Sequence, residues 1–274
     1  MRTLAWEEYI DAGLSEGLDA RPFAATIGVF DGLHIGHREL VKRVVGKPGL
    51  ASAVLTFREN PKRILSPHTH QGELSTLDQK LGLIESMNVD FCVLIDFSGD
   101  FSKLPGRRFL SILRDRGKLG FLVVGSDFRC GRGLDTDASA IRSFCEESSI
   151  GIELVDAVHW DGHTVSSSRI RKAIAEGRLD DAAAMLGRPY EIDLRAALRP
   201  AEGLWAPRGV QARPPRGVYD ARLAFDSGSP QLPVSARLDA KGLWSFGGIE
   251  DGGRLPRPGA EPRGLGLVSL VSRG

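Results

Sequence analysis

The chain has 274 residues, 42% hydrophobic and 26% charged, which are ordinary proportions for a globular protein of one large or two smaller domains. A net charge of +1 excludes any general electrostatic attraction to nucleic acid or to a membrane surface. Nothing approaches the ~18 apolar residues of a bilayer span. The stretch Met1 to Glu8 meets acidic residues before any apolar run, so no signal peptide is expected. Cys92, Cys130 and Cys145 lack C-x-x-C spacing, which points to free thiols in a reducing compartment and a cytoplasmic location.

In chain order, Ala24 to Phe30 is apolar and partly β-branched, as a buried strand should be. Asp31-Gly32 signals a turn, and Arg38 to Val45 has helical spacing, with Leu40, Val41, Val44 and Val45 on one face. Between them lies His34-Ile35-Gly36-His37. A lone histidine near a turn is ordinarily a solvated or hydrogen-bonded side chain. Two of them around a glycine, after a buried strand and at a helix start, are a better fit to an anion such as phosphate. The free N–H groups of the helix start add to the imidazole donors, and Gly36 lets the backbone approach a ligand. Zinc is the other option, but it wants a third ligand, and His68 and His70 show no ligand spacing.

Ala51 to Phe57 reads as a second strand and Arg58 to Gly72 as a long polar loop. Thr76 and Gln79 have capping-box spacing before the helical run Leu77, Leu81, Ile84, Met87. Asp90 to Phe97 is a third strand, Pro105 to Arg116 a basic amphipathic helix with Phe109, Ile112 and Leu113 inward, and Gly120 to Gly125 a fourth strand. A helix from Ala138 to Ser149 and a fifth strand from Ile152 to Val158 follow, and Leu179 to Leu186 closes the series, stopped by Gly187-Arg188-Pro189-Tyr190. This alternation predicts an α/β fold, a parallel sheet covered on both faces.

In such sheets ligands bind beyond the carboxyl ends of the strands. The unusual residues collect there: Asp31, His34 and His37 after the first strand, Phe57 to Pro61 after the second, Ser126 to Gly133 after the fourth, and Val165 to Arg171 past a turn at Asp161-Gly162 after the fifth. The last segment repeats the physics of the first. Ser166, Ser167 and Ser168 can cap a helix and hold an oxyanion, and Arg169 and Arg171 match phosphate oxygens with a planar fork. An ordinary N-cap accounts for one serine, not for three with two arginines.

From Tyr190 glycine and proline become frequent (13 of 33 and 9 of 15) and helical periodicity is lost. Gly217 to Phe225, Pro233 to Leu238, Gly242 to Phe246 and Gly264 to Val271 read as strands of a small antiparallel β domain. Glu250 to Pro262 holds one large apolar residue, Leu255, and is expected to be mobile.

Together these segments resemble the bacterial riboflavin kinase/FMN adenylyltransferase (FAD synthetase) family from about Thr26 to Tyr190. The resemblance rests on Gly28 to His37, on Val124 to Gly133, on Val165 to Arg171, and on Leu186 to Tyr190, which matches the family's domain junction. H-x-G-H alone marks only the wider nucleotidylyltransferase superfamily. The resemblance implies a Rossmann-like adenylyltransferase domain over residues 1–189 and a kinase-like β-barrel domain over 190–274. It implies ATP and FMN as substrates, FAD and pyrophosphate as products, and Mg²⁺ held mainly by substrate phosphates, with no protein metal site. His34, His37, Ser167 and Arg169 would be catalytic. Gly28, Phe30, Asp31, Gly36, Asp127, Gly131, Gly133, Val165, Ser166, Ser168 and Arg171 would border ATP. Phe57, Asn60, Pro61 and Phe128 would face FMN.

Two departures from the family matter. Glu59-Asn60-Pro61 stands where the family has a Pro-His-Pro-like run. After Tyr190 there is no G-F-P-T-A-N-like segment, and only Pro215 to Leu223 resembles the kinase strand, so riboflavin kinase activity is expected to be absent and a reduced β barrel to remain as scaffold. The rival readings are a bifunctional kinase/synthetase, a nucleotidylyltransferase with another phosphate acceptor, and a flavin- or nucleotide-binding regulatory protein.

Overall fold

The computed structural model describes residues 1–12, 21–208, 210–225, 231–247 and 262–273. Two compact units result, one from residues 1–70 and 80–164, the other from 71–79 and 165–274.

The first unit alternates strand and helix. Its elements are β1 (Arg2–Ala5), α1 (Trp6–Ala12), β2 (Phe23–Ile27), α2 (Ile35–Val45), β3 (Ala51–Phe57), α3 (Pro61–Leu65), α4 (Leu77–Glu85, which begins in the second unit), β4 (Phe91–Ile95), α5 (Gly106–Gly117) and β5 (Leu119–Gly125). A two-residue hairpin, β6 (Arg129–Cys130) with β7 (Thr136–Asp137), precedes α6 (Ala138–Glu147) and β8 (Gly151–Val155); β9 (His159–Trp160) and β10 (His163–Thr164) form a second short hairpin.

Six strands form a parallel sheet in the order β1-β4-β3-β2-β5-β8. β2, β4 and nearly all of β3 are buried, as strands covered on both faces must be. On one face Leu55, Val93 and Leu122 pack with Leu110, Leu113, Ile141 and Phe144 of α5 and α6. On the other, Ala24 and Val123 meet Val44 of α2. From β2 the chain steps outward to β3 and β4, then returns to the other side of β2 for β5 and β8. That reversal puts a switch point between the ends of β2 and β5, where a parallel sheet leaves a crevice.

The expected parallel α/β architecture is present, with six strands where five were expected. The extra one, β1, is a four-residue edge strand, too short for its pattern to stand out, and it is specified by its pairing with β4. β2 stops at Ile27 because Phe30 turns left-handed (φ 50°). The next helix starts at Ile35, three residues before the expected Arg38. The polar loop after β3 contains α3, because Asn60 accepts the Lys62 N–H at 3.1 Å and Pro61 presets the first helical φ. In α5 the buried face is Phe109, Leu110 and Leu113, with Ile112 only half-buried.

The second unit holds α7 (Ser167–Ala175), α8 (Leu179–Leu186) and an antiparallel sheet ordered β11 (Tyr190–Asp193), β16 (Gly264–Arg273), β13 (Gly217–Ala224), β14 (Leu232–Leu238), β15 (Trp244–Gly247) and β12 (Leu204–Trp205). The four expected strands are there, and β11 and β12 complete the sheet. Alternation is regular in β13, where Gly217, Tyr219, Ala221 and Leu223 are buried. The Thr76–Gln79 capping box closes, with Thr76 N–H to Gln79 Oε1 at 3.0 Å and Gln79 N–H to Thr76 Oγ1 at 3.3 Å. The stretch expected to be mobile, Glu250 to Pro262, lies outside the described residues up to 261. No helix among the described residues is long and apolar enough to cross a membrane.

Leu122 is fully buried in β5, between β2 and β8. Leu122→Ala should cost about 2–5 kcal/mol of stability. In urea unfolding this appears as a lower midpoint with the slope unchanged.

Candidate active site

The first strand-end loop is built to present two imidazoles. Phe30, in the left-handed region, turns the chain back and buries its own ring completely, edge-on to His37 with centroids 5.2 Å apart. A 3-10 turn, Asp31–Leu33, carries the chain to His34, which caps α2 by accepting the His37 N–H on Nδ1 at 3.3 Å. With Nδ1 an acceptor, the neutral His34 ring carries its proton on Nε2. The two rings stack, centroids 3.5 Å apart and 17° between planes. A side chain at Gly36 would put a Cβ 3.3 Å from both Cε1 and Nδ1 of His34, so glycine is what lets the pair sit against the helix start.

Burial, with the positive charges of His34 and Lys80, holds the pKa of His37 well below the ordinary histidine value. Its Nδ1 is buried with no hydrogen-bond partner among the described residues. The site therefore offers a neutral His37 imidazole beside His34 and the helix N–H groups, a setting suited to an anion.

An apolar cavity of about 430 Å³, a size suited to a drug-sized ligand, lies beside the carboxyl ends of β2, β3 and β5. Phe57, Asn60, Pro61 and Phe128, the four residues expected on the flavin side, all line it. Gly28, Gly131 and Gly133, expected beside the nucleotide, line the same cavity. Phe57, Phe97, Phe101 and Phe109 form a wall of edge-to-face rings with centroids 5.8–6.3 Å apart. Lys62 and Arg129 bring the cationic groups among the lining residues. Burial pushes the Cys130 thiol up to about 12, which makes it an inert part of the wall.

Gly131 adopts φ 84°, and a Cβ there would collide with Asp135 and with the backbone of Gly106. That crowding ties the loop to the start of α5, where Asp135 Oδ1 accepts the Gly106 N–H at 3.0 Å and the Thr136 hydroxyl at 2.9 Å. Asp127 is exposed in the tight turn after β5, which closes through Phe128 N–H to Gly125 O at 3.0 Å. Asp31 is buried.

The serine-arginine segment lies in the second unit. Ser166 is the N-cap of α7, accepting the Arg169 N–H at 3.3 Å; Ser167 and Arg169 are half-buried, Ser168 is exposed and Val165 is buried. Arg171 is buried, and its Nε–H donates to the Gly72 carbonyl at 2.6 Å, a contact within that unit.

Sequence reasoning missed Phe97, Phe101 and Lys80. For Lys80 a signal existed: three residues after Leu77 and four before Ile84, it falls on the apolar stripe of α4, where a lysine is out of place.

The FAD synthetase family matches residues 18–169, just over half of the chain. A protein of Buchnera aphidicola subsp. Schizaphis graminum, named bifunctional riboflavin kinase/FMN adenylyltransferase, is 29% identical over 63% of this chain and 57% of its own length. One of the same name from Escherichia coli K12 is 28% identical over 79% of this chain and 72% of its own length. A Listeria monocytogenes protein named FAD synthetase is 26% identical over 65% of this chain and 74% of its own. The alignment thus spans little more than half of the Buchnera relative. Among solved structures, one described as a macrolide-efflux protein from Streptococcus pneumoniae matches 99% of this chain and 100% of that one, with a TM-score of 0.82 and 21% identity, a likeness of fold.

A histidine whose folded pKa is depressed takes up its proton more readily in the unfolded chain. The stability tied to neutral His37 is therefore complete above the ordinary value of 6.5 and is lost as pH falls below it. His37→Gln should show a smaller drop in Tm between pH 7.5 and pH 5 than the parent, measured by thermal unfolding in matched buffers.

Proposed function

The chain belongs to the FAD synthetase family, and from that premise we propose that it transfers the adenylyl group of ATP to FMN, giving FAD and pyrophosphate. One observation carries this reading: within a single unit, an aromatic-walled cavity opens at the same strand ends as a histidine pair set on a helix start. The first suits an isoalloxazine ring, the second a polyphosphate.

In this reading an FMN phosphate oxygen attacks the α-phosphorus of ATP in line. The new P–O bond forms as the bond to the β-phosphate oxygen breaks, and the electron pair leaves with pyrophosphate. No protein nucleophile is needed, so the protein contributes positioning and charge stabilisation. His34 and His37, with the α2 N–H groups, hold phosphate oxygens as charge moves onto the leaving group. Phe57, Asn60, Pro61 and Phe128 hold the flavin, and Lys62 and Arg129 suit its phosphate. Motif resemblance gives Ser167, Ser168 and Arg169 as further phosphate donors, with Gly28, Phe30, Asp31, Gly36, Asp127, Gly131, Gly133, Val165, Ser166 and Arg171 bordering ATP. For Arg171 the buried contact with Gly72 also supports a role in holding α7.

Among the described residues no group of three His, Cys, Asp or Glu side chains gathers to hold a metal. Mg²⁺ would arrive with the substrate, on ATP, with phosphate oxygens and water as its ligands. We also infer a cytoplasmic location, a domain division at residues 189 and 190, and the absence of riboflavin kinase activity. The last is supported by the lack of a G-F-P-T-A-N-like segment after Tyr190. FMN would then come from another enzyme or from uptake.

Incubation of the protein with ATP, Mg²⁺ and either FMN or riboflavin, with the flavins resolved by chromatography, tests this reading. FAD from FMN and no product from riboflavin is the expected result. FMN formed from riboflavin would refute the loss of kinase activity, and flavin binding without product would favour the regulatory binder. Arg169→Ala should lower kcat by about 10²-fold, the scale of losing one charged donor to the transition state.

A further inference from the structure

A lysine buried to 6% exposure needs a reason, because an ammonium is costly to remove from water. Lys80 reaches from α4 to the carboxyl ends of two sheet strands. Its Nζ donates to the Phe57 carbonyl at 2.6 Å, with the Val29 carbonyl at 3.4 Å and Thr56 Oγ1 at 3.5 Å. Thr56 Oγ1 itself donates to the Val29 carbonyl at 3.0 Å. Both carbonyls stand where the strands end, so they depend on such donors. Val29 and Phe57 line the apolar cavity, and Val29 adjoins Phe30, whose ring meets His37. Lys80 therefore sits behind the junction of the flavin cavity and the histidine pair.

We propose that Lys80 is a positioning residue for adenylyl transfer: its buried ammonium ties the end of β2 to the end of β3, fixing the flavin-facing wall relative to the paired histidines. The inference rests on the adenylyltransferase reading above. Met or Leu would fill the same space on the α4 stripe, but neither offers a donor to Phe57 or Val29. The same ammonium acts on His37, where burial is the largest cause disfavouring the imidazolium and the charges of His34 and then Lys80 add to it. A group that only filled space would leave both the backbone tie and the His37 charge state untouched.

The test compares Lys80→Met, Lys80→Gln and Lys80→Arg in the full chain. Steady-state FAD formation from FMN and ATP is measured alongside the NMR titration of His37, assigned by His37→Gln. Positioning lost by about 1 Å can cost 10²-fold in rate. The expected result in the two neutral variants is a kcat lower by about 10–10²-fold with KM for FMN within about threefold. The His37 pKa should rise, because a positive neighbour is gone, and Lys80→Arg should keep it near the parent value. Neutral variants with parental kcat and a parental His37 titration would overturn the proposal, as would a His37 shift of equal size in Lys80→Arg. If one neutral variant does not fold, the other supplies the reading; if neither folds, Lys80→Arg decides, with a parental His37 titration in support and a shifted one against. A parent protein that makes no FAD would sink the adenylyltransferase reading instead, and the His37 titration would still decide whether Lys80 sets the charge beside the histidines.

Discussion

Much of the first unit follows from how the chain leaves β2. A buried strand must release its backbone at the sheet edge, and here it does so through a left-handed residue, Phe30, whose ring plugs the space beneath the turn. Once that ring is fixed, the following residues have little choice. The 3-10 turn delivers His34 to the cap position, His34 closes on the His37 N–H, and the rings stack over a glycine that has nothing to put in the way. Each step uses a group the helix start leaves without an intrahelical partner. A single backbone turn thus places two imidazoles and a set of N–H donors on one spot.

The strand order supplies the second constraint. β2 and β5 are neighbours whose connections run to opposite sides of the sheet, so the loops beyond their ends diverge and leave space. Aromatic side chains from the β3 and β4 ends, the segment after them and α5 wall that space on one side. The glycine-bearing hairpin after β5, pinned to α5 through Asp135, supplies more of the lining. The cavity wall is mostly apolar, with Asn60, Ser102, Lys62 and Arg129 as polar groups at the lining, an arrangement suited to a ligand with a flat apolar body and a charged end.

The second unit is organised differently. An antiparallel sheet with regular alternation in β13 is accompanied by two helices, the first of which begins in the serine-arginine segment, and α8 packs on β11 and β16. The segment 71–79 belongs to this unit, where Thr76 and Gln79 close a cap and Gly72 accepts from Arg171. An arginine in a phosphate-binding pattern therefore also has a structural partner within its own unit.

The sequence by itself determined the alternation of strands and helices, the parallel sheet, the change to β structure after Tyr190 and the gathering of unusual residues at strand ends. These are local properties: hydrophobic period, turn chemistry and caps are written in a few adjacent residues. The tertiary structure alone decided what depends on distant pairing. β1 is a strand because β4 is there to pair with it, and Phe97 and Phe101 are cavity walls because they meet Phe57. Lys80 is marked in the sequence only as a lysine on an apolar stripe; that its ammonium reaches the Val29 and Phe57 carbonyls is decided by how α4 packs. His37 is recognisable as a histidine at a helix start with His34 beside it, but its neutrality comes first from burial and also from the Lys80 charge, which only the fold brings near it. Contacts between residues far apart in the chain carry no short-range signal, and the chemistry of this site is set by such contacts.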